Sequence, residues 1–231
     1  MSRSTRLSLA FVSLALLSSP VLGQNELSAL DAITASQNGQ TLLKPDRAKV
    51  QIPPASADRP DVFNSVALPI SRTSLQGRWN QVSGAGVSSA AAGFASALRS
   101  KDVMAKLEAV NSYINSRVRY VDDHTQFGVA DRWMTASETL RRGRGDCEDF
   151  AIAKRAMLRA AGVADKDLYL VVLKDLTRRA DHAVLVVRAN GRFLVLDNGT
   201  NRIVDSSTAS DYKPIFSFTA GRTYTHGYRP V

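Results

Sequence analysis

The spacing of apolar residues changes near residue 165, and this change limits the possible folds more than any other feature of the sequence. Before that point, apolar residues recur every three or four positions, as on one face of a helix. The clearest such face comprises Val103, Leu107, Val110, Ile114 and Val118. After it, residues 168–173, 183–187 and 193–196 are short runs rich in β-branched and aliphatic residues, which predict strands. Helices followed by antiparallel strands predict an α+β domain with the helices packed on one side of a sheet.

The segment Gly143–Gly145 separates two predicted helices. The first follows Thr135, which has the spacing of a capping box, and the glycines end it. The second begins at Asp146 or Cys147 and ends near Gly162, a plausible C-cap. Cys147 is therefore expected at the N-terminus of a helix.

The first 23 residues have the composition of a signal peptide. Arg3 and Arg6 supply positive charge, Leu7–Leu17 is apolar, and small residues precede the expected mature start at Gln24. The alternative is an uncleaved anchor, although the apolar run is shorter than the roughly 20 residues that span a bilayer. Residues 24–76 are rich in Ser, Ala, Asn, Gln and Pro and predict a loosely ordered extension. We expect an exported, periplasmic protein with one domain over residues 77–231.

The chain is basic, with a formal net charge of +9. Removing Arg3 and Arg6 with the signal peptide leaves +7. The Lys and Arg residues are scattered and do not alternate with aromatic residues, so a nucleic-acid partner is not expected. The charge favours solubility and attraction to acidic partners or an anionic surface.

Cys147 is the single cysteine, so no internal disulfide can support the fold. Its thiol is either a small buried apolar group or a functional group. A helix N-terminus lowers a thiol pKa, and the preceding glycines allow close approach of a substrate. The Cys147 amide is a candidate oxyanion donor, and the sequence does not identify a second one.

A thiol nucleophile needs a base, and the candidates are the three histidines, His124, His182 and His226. If Asn190–Gly191 forms a two-residue hairpin turn, counting outward pairs Val184 with Asp197. His182 and Asp197 are then diagonal neighbours on one face of the hairpin, within reach of each other. Each is an ordinary residue by itself, but with Cys147 they match one catalytic arrangement.

Three carboxylates, Asp146, Glu148 and Asp149, flank the cysteine. Like charge raises a thiol pKa, so these acids need another explanation. They either cap the helix N-terminus or bind a hard cation such as Ca²⁺. Asp131 or Asp122–Asp123 could complete the oxygen ligands, although the spacing differs from that of an EF-hand loop. Without a cluster of Cys and His residues, zinc is not expected.

Four segments resemble the bacterial transglutaminase-like cysteine peptidases, which include periplasmic LapG-like proteases; these segments are 133–140, 143–151, 181–185 and 194–198. The resemblance implies a papain-like or transglutaminase-like fold and a hydrolase that is a thiol protease. By motif position, the implied catalytic triad is Cys147, His182 and Asp197. The implied calcium region comprises Asp131, Asp146, Glu148 and Asp149.

The resemblance also implies a substrate and a regulator. LapG-like proteases depend on calcium, cut large surface adhesins near an Ala-Ala pair and so release biofilm cells, and an inner-membrane receptor for cyclic di-GMP sequesters them. This chain has Ala136 where such sequences often have Pro, and Phe150 where Tyr is common; neither residue belongs to the expected chemistry. Two alternatives stay open: acyl transfer or deamidation at Gln, and a non-catalytic calcium-responsive binding module.

Overall fold

A seven-stranded antiparallel sheet forms the centre of the structure, a computed structural model that describes residues 58–228. Its strands are β1 (Val66–Ile70), β4 (Leu168–Asp175), β5 (Ala180–Ala189), β6 (Arg192–Leu196), β7 (Val204–Asp205), β8 (Tyr212–Thr219) and β9 (Arg222–Gly227). They lie in the order β1-β9-β8-β4-β5-β6-β7. Two short strands, β2 (Arg119–Tyr120) and β3 (Arg144–Gly145), form a separate parallel pair.

Six α-helices accompany the sheet within the described residues. They are α1 (Gln76–Val82), α2 (Ser89–Ala97), α3 (Val103–Arg117), α4 (Asp123–Phe127), α5 (Ala136–Arg142) and α6 (Cys147–Ala160). Helix α6 is buried along most of its length and packs against β4 and β5 as well as α2, α3 and α5. The predicted α+β class and the predicted helices at 103–118 and from Cys147 are confirmed.

The main core lies between this helical layer and the sheet. Leu107, Val110 and Ile114 of α3 are fully buried there, so the apolar face read from the sequence points inward. Burying such a side chain stabilises the fold by about 1.5–3 kcal/mol. Because α6 lies at the centre of this core, the position of its N-terminus is fixed.

The opposite face of the sheet corrects the predicted domain boundary. Val62 and Phe63 are buried there against Val171 and Val184, and β1 pairs with β9 as an edge strand. Residues 58–76 therefore belong to the folded domain, since without them this apolar face would meet water. The predicted signal peptide and the rest of the predicted extension lie outside residues 58–228. Within that range, no helix combines the length and apolar composition that crossing a bilayer requires.

The hairpin between β5 and β6 has the predicted turn and register. Asn190 and Gly191 both have positive φ angles, 51° and 73°, as a two-residue type I′ turn requires. Ala189 pairs with Arg192, and the pairing continues to Leu185 with Leu196. This register places Asp197 diagonally opposite His182 at the end of the hairpin.

The glycines before Cys147 each have a structural reason. Gly143 has φ 61° and ends α5 in the left-handed conformation. At Gly145 a Cβ atom would lie 2.6 Å from a carboxylate oxygen of Asp149, so no larger residue fits without a shift. Strand β3, which includes Gly145, pairs with β2, and this pairing brings Tyr120 beside the start of α6.

Candidate active site

Cys147 is the first residue of α6, where the backbone N–H groups have no partner within the helix. It lines a cleft of about 430 Å³ together with His182. The backbone N–H of Ala183, the residue after His182, faces the Cys147 sulfur. The thiol donates a hydrogen bond to Glu148 Oε2 at 3.3 Å. The nucleophile candidate and the base candidate therefore share one cleft.

The surroundings of Cys147 favour the neutral thiol. Burial raises its pKa far above the ordinary value, and the charges of Glu148 and Asp146 raise it further. The N–H of Ala183 acts in the opposite direction but does not offset them. Burial and the like charges of Glu148 and Asp146 therefore outweigh the helix N-terminus, whose effect on the pKa of a thiol is in the opposite direction.

His182 and Asp197 are both buried and joined by a hydrogen bond of 3.2 Å between Nε2 and Oδ2. The carboxylate also accepts from the backbone N–H of Gly199 at 2.8 Å and from the Tyr212 hydroxyl at 2.5 Å. Although burial opposes it, the hydrogen bond and charge of His182 hold the pKa of Asp197 well below its usual range. Ionised Asp197 accepts the hydrogen bond from Nε2–H of His182. This leaves Nδ1 as the nitrogen that can accept a proton.

Helix α3 fixes the backbone that carries Asp197. The Asn115 side-chain amide donates to the carbonyl of Asp197 at 3.0 Å and to that of Thr200 at 3.0 Å. Asn111, one turn earlier, donates to the same Thr200 carbonyl at 3.2 Å. Sequence reasoning missed Asn115 and Tyr212. The only sequence signal for Asn111 and Asn115 is their spacing along α3, and no local sequence pattern identifies Tyr212.

The other two histidines lie elsewhere. His226 on β9 is held through Nδ1 by the Ser65 hydroxyl and through Nε2 by the Ser217 hydroxyl, both at 2.7 Å. Burial lowers the pKa of His226 to about 4, so this ring is neutral and serves the packing of β1, β8 and β9. His124 belongs to α4 and does not line the cleft.

Three carboxylates converge beside Cys147: Asp123, Asp146 and Glu148 offer oxygens that all lie within 4.8 Å of one another. One oxygen of Asp123 and one of Asp146 are buried and have no hydrogen-bond partner. Burial is the main reason why the pKa values of all three are raised, that of Asp146 to about 6. Hard oxygen donors, crowded and unsatisfied, fit a cation such as Ca²⁺.

Two of the four residues in the implied calcium region, Asp131 and Asp149, do not belong to this cluster. Asp149 is fully buried, and its oxygens accept from the backbone N–H groups of Met134 at 2.8 Å and Asp146 at 3.4 Å. Asp131 pairs with Arg78 at 3.3 Å. Asp149 therefore orders the start of the helix. The third carboxylate of the cluster is Asp123, which the sequence indicated only as one of the upstream candidates.

A sequence model of the bacterial transglutaminase-like cysteine proteinases (BTLCP) matches residues 86–220, which include Cys147, His182 and Asp197. The chain belongs to this family. A solved structure of LapG from Legionella pneumophila is 30% identical in sequence with a TM-score of 0.54, over 67% of this chain and 81% of that chain. Structures of the same protein in calcium-bound and EGTA-treated forms match equally, over 81% and 79% of their chains. Among curated proteins, no match to the chain was found.

Membership of the BTLCP family makes the chain a cysteine peptidase with a transglutaminase-like α+β fold. This confirms the family, fold and enzyme class predicted from the segments around Cys147. A peptidase acts on protein, so a protein substrate follows as well.

Proposed function

We propose that this BTLCP member is an exported, calcium-dependent endopeptidase whose catalytic residues are Cys147, His182 and Asp197. The observation that carries the proposal is the His182–Asp197 hydrogen bond in the wall of the cleft where Cys147 begins α6. A fixed carboxylate that orients an imidazole beside a thiol is the arrangement that activates a cysteine nucleophile.

The chemistry follows from these positions. Nδ1 of His182 accepts the thiol proton while the Cys147 sulfur bonds to the peptide carbonyl carbon, and the carbonyl electron pair moves to oxygen. The Cys147 backbone N–H faces that oxygen as one donor. When the pair returns, the C–N bond breaks and the imidazolium gives its proton to the leaving amine. Water then hydrolyses the thioester, with His182 again as the base.

The calcium requirement is assigned to Asp123, Asp146 and Glu148. Bound Ca²⁺ would neutralise carboxylates whose charge raises the pKa of Cys147. Glu148 has a second effect, because its carboxylate accepts the thiol hydrogen bond at 3.3 Å and so competes with His182 for that proton. Solved structures of L. pneumophila LapG in calcium-bound and EGTA-treated forms support calcium as the cation.

We further propose a large surface adhesin as the substrate, cut near an Ala-Ala pair, so that the enzyme controls biofilm attachment. The predicted signal peptide supports a periplasmic location, and an inner-membrane cyclic di-GMP receptor is the proposed regulator. The similarity to LapG supports these assignments. Part of the cleft wall is apolar, formed by Leu75, Trp133, Val172 and Phe216, and this part suits apolar substrate side chains.

The test uses purified residues 24–231 as wild type and as Cys147→Ala, with the N-terminal region of a co-encoded large adhesin. Each is incubated with calcium or with EGTA, and the products are analysed by mass spectrometry. We expect new peptide termini only with wild type in calcium. Equal cleavage by Cys147→Ala would remove the nucleophile assignment, and equal cleavage in EGTA would remove the calcium claim.

The same mass spectra, together with an attachment assay on cells that carry Cys147→Ala, decide between the alternatives. A mass change at Gln side chains without cleavage means acyl transfer or deamidation. A cellular effect on attachment that survives Cys147→Ala means a non-catalytic binding module. Activity on other proteins but not on the adhesin removes only the substrate assignment.

A further inference from the structure

Tyr120 is attached to the segment that presents the nucleophile. It pairs with Gly145 in the parallel ladder of β2 and β3. The hydrogen bonds on either side, from Arg119 N to Gly143 O and from Val121 N to Gly145 O, are both 3.0 Å long. Neighbouring strands lie about 4.8 Å apart, so Tyr120 stands one strand spacing away from the residues that lead into Cys147.

Tyr120 also lies where two cavities meet. The first is the cleft of about 430 Å³ that contains Cys147, and the second, of about 330 Å³, is lined by Arg178 and Asn198. Tyr120, Asp181 and His182 line both. A polypeptide bound across the two cavities must pass Tyr120 and His182, and the Tyr120 side chain is available to it because the residue is 57% exposed.

The substrate carbonyl oxygen becomes negatively charged when sulfur adds to carbon, and so far only the Cys147 backbone N–H has been assigned as a hydrogen-bond donor to it. Four side chains of the Cys147 cleft are carboxylates, which in their ionised form only accept hydrogen bonds: Asp131, Asp146, Glu148 and Asp181. Apart from Cys147 and His182, which take part in the proton transfer themselves, the described cleft side chains with a neutral donor are Ser74, Tyr120 and Trp133. Trp133 is only 9% exposed and packs edge-on against Phe218 at 6.1 Å. Of these three donors, only Tyr120 belongs to a strand, β2, that is hydrogen-bonded to the segment before Cys147.

We propose that Tyr120 is a catalytic residue that donates its phenol hydrogen bond to the carbonyl oxygen of the scissile peptide during sulfur addition. No proton is transferred from the phenol: its O–H stays intact while the sulfur–carbon bond forms and the carbonyl electron pair moves to oxygen. The assignment rests on the proposed function of Cys147. The pKa of Tyr120 is raised, first by the partial burial of its side chain and then by the charge of Cys147, which is consistent with a neutral phenol close to the sulfur.

The test compares Tyr120→Phe with wild type on a quenched fluorescent peptide that contains a central Ala-Ala bond, in calcium. Loss of one oxyanion donor costs about 100-fold in kcat, and we expect that loss with little change in KM. A peptide aldehyde places its oxygen where the carbonyl oxygen sits, so its affinity should fall with kcat. The binding of an uncleaved peptide to Cys147→Ala should not change when Tyr120→Phe is added. Tyr228→Phe is the matched control, because Tyr228 is 45% exposed and lines neither cavity.

The outcomes are distinguishable. Wild-type rates and wild-type aldehyde affinity in Tyr120→Phe overturn the Tyr120 assignment and leave the proposed function intact. A loss that falls on KM alone also overturns it, because Tyr120 would then serve ground-state binding. Wild-type protein that cleaves no peptide bond overturns both.

Discussion

Lys154 provides a stability test, because its side-chain amine is buried. It lies on α6 two turns after Cys147, is 0% exposed, and its Nζ has no hydrogen-bond partner among the described residues. The amine lies over the Phe150 ring, 5.9 Å from the ring centroid. Burial lowers the pKa of Lys154 to about 7, although the charge of Asp197 acts in the opposite direction. We expect Lys154→Met, which keeps the volume and removes the amine, to stabilise the protein.

The size of the effect follows from the pKa. A change from 10.5 to about 7 corresponds to a cost of about 5 kcal/mol for the charged amine in the folded state. Allowing for local relaxation, Lys154→Met should raise the free energy of unfolding at neutral pH by about 2–5 kcal/mol. For a domain of this size that is a rise in Tm of roughly 5–15 °C.

The sign of the pH dependence is fixed. Because the folded pKa is lowered, the unfolded chain binds the extra proton between pH 7 and 10.5, and the stability of wild type rises across that window. The gap between Lys154→Met and wild type is therefore largest at about pH 6 and smaller at about pH 9.5. Urea unfolding at both pH values measures it. The exposed Lys101→Met should stay within about 0.5 kcal/mol of wild type. A destabilised Lys154→Met, or a gap that does not change with pH, refutes the reasoning.

Two further predictions concern the site. Asp123→Asn should weaken calcium binding by at least about 10-fold in calorimetric titrations, because the cluster loses a charged ligand, whereas Asp131→Asn should bind like wild type; equal losses would contradict the cluster. Asp197→Ala should lower kcat by about 100-fold or more, since His182 loses the acceptor that fixes Nε2, and Tyr212→Phe should lower it by less than about 10-fold. Steady-state kinetics measures both, and an active Asp197→Ala would remove Asp197 from the triad.

The features that the sequence predicted correctly depend on neighbouring residues. The apolar face of α3 and the helix that starts at Cys147 are local patterns, and the turn at Asn190–Gly191 fixes the register that joins His182 to Asp197. In each case the decisive residues lie within about 20 positions, where periodicity and turn geometry apply.

The features that were missed depend on contacts between distant segments. Strand β1 is short, contains Pro69 and pairs with β9 more than 150 residues later, so its sequence resembles an extension. An edge strand tolerates proline because one side of it makes no ladder hydrogen bonds. Asp123 joins the acidic cluster and Tyr120 joins the cleft because β2 pairs with β3. Tyr212 reaches Asp197 from the separate strand β8.

The most direct test of the central claim is to trap the acyl-enzyme. Wild-type protein is mixed with the adhesin fragment in calcium and quenched in acid, and the peptides are mapped by mass spectrometry. The account predicts a substrate-derived thioester on the peptide that contains Cys147, absent in EGTA and in Cys147→Ala. Substrate cleavage that continues in Cys147→Ala without such an adduct would contradict it.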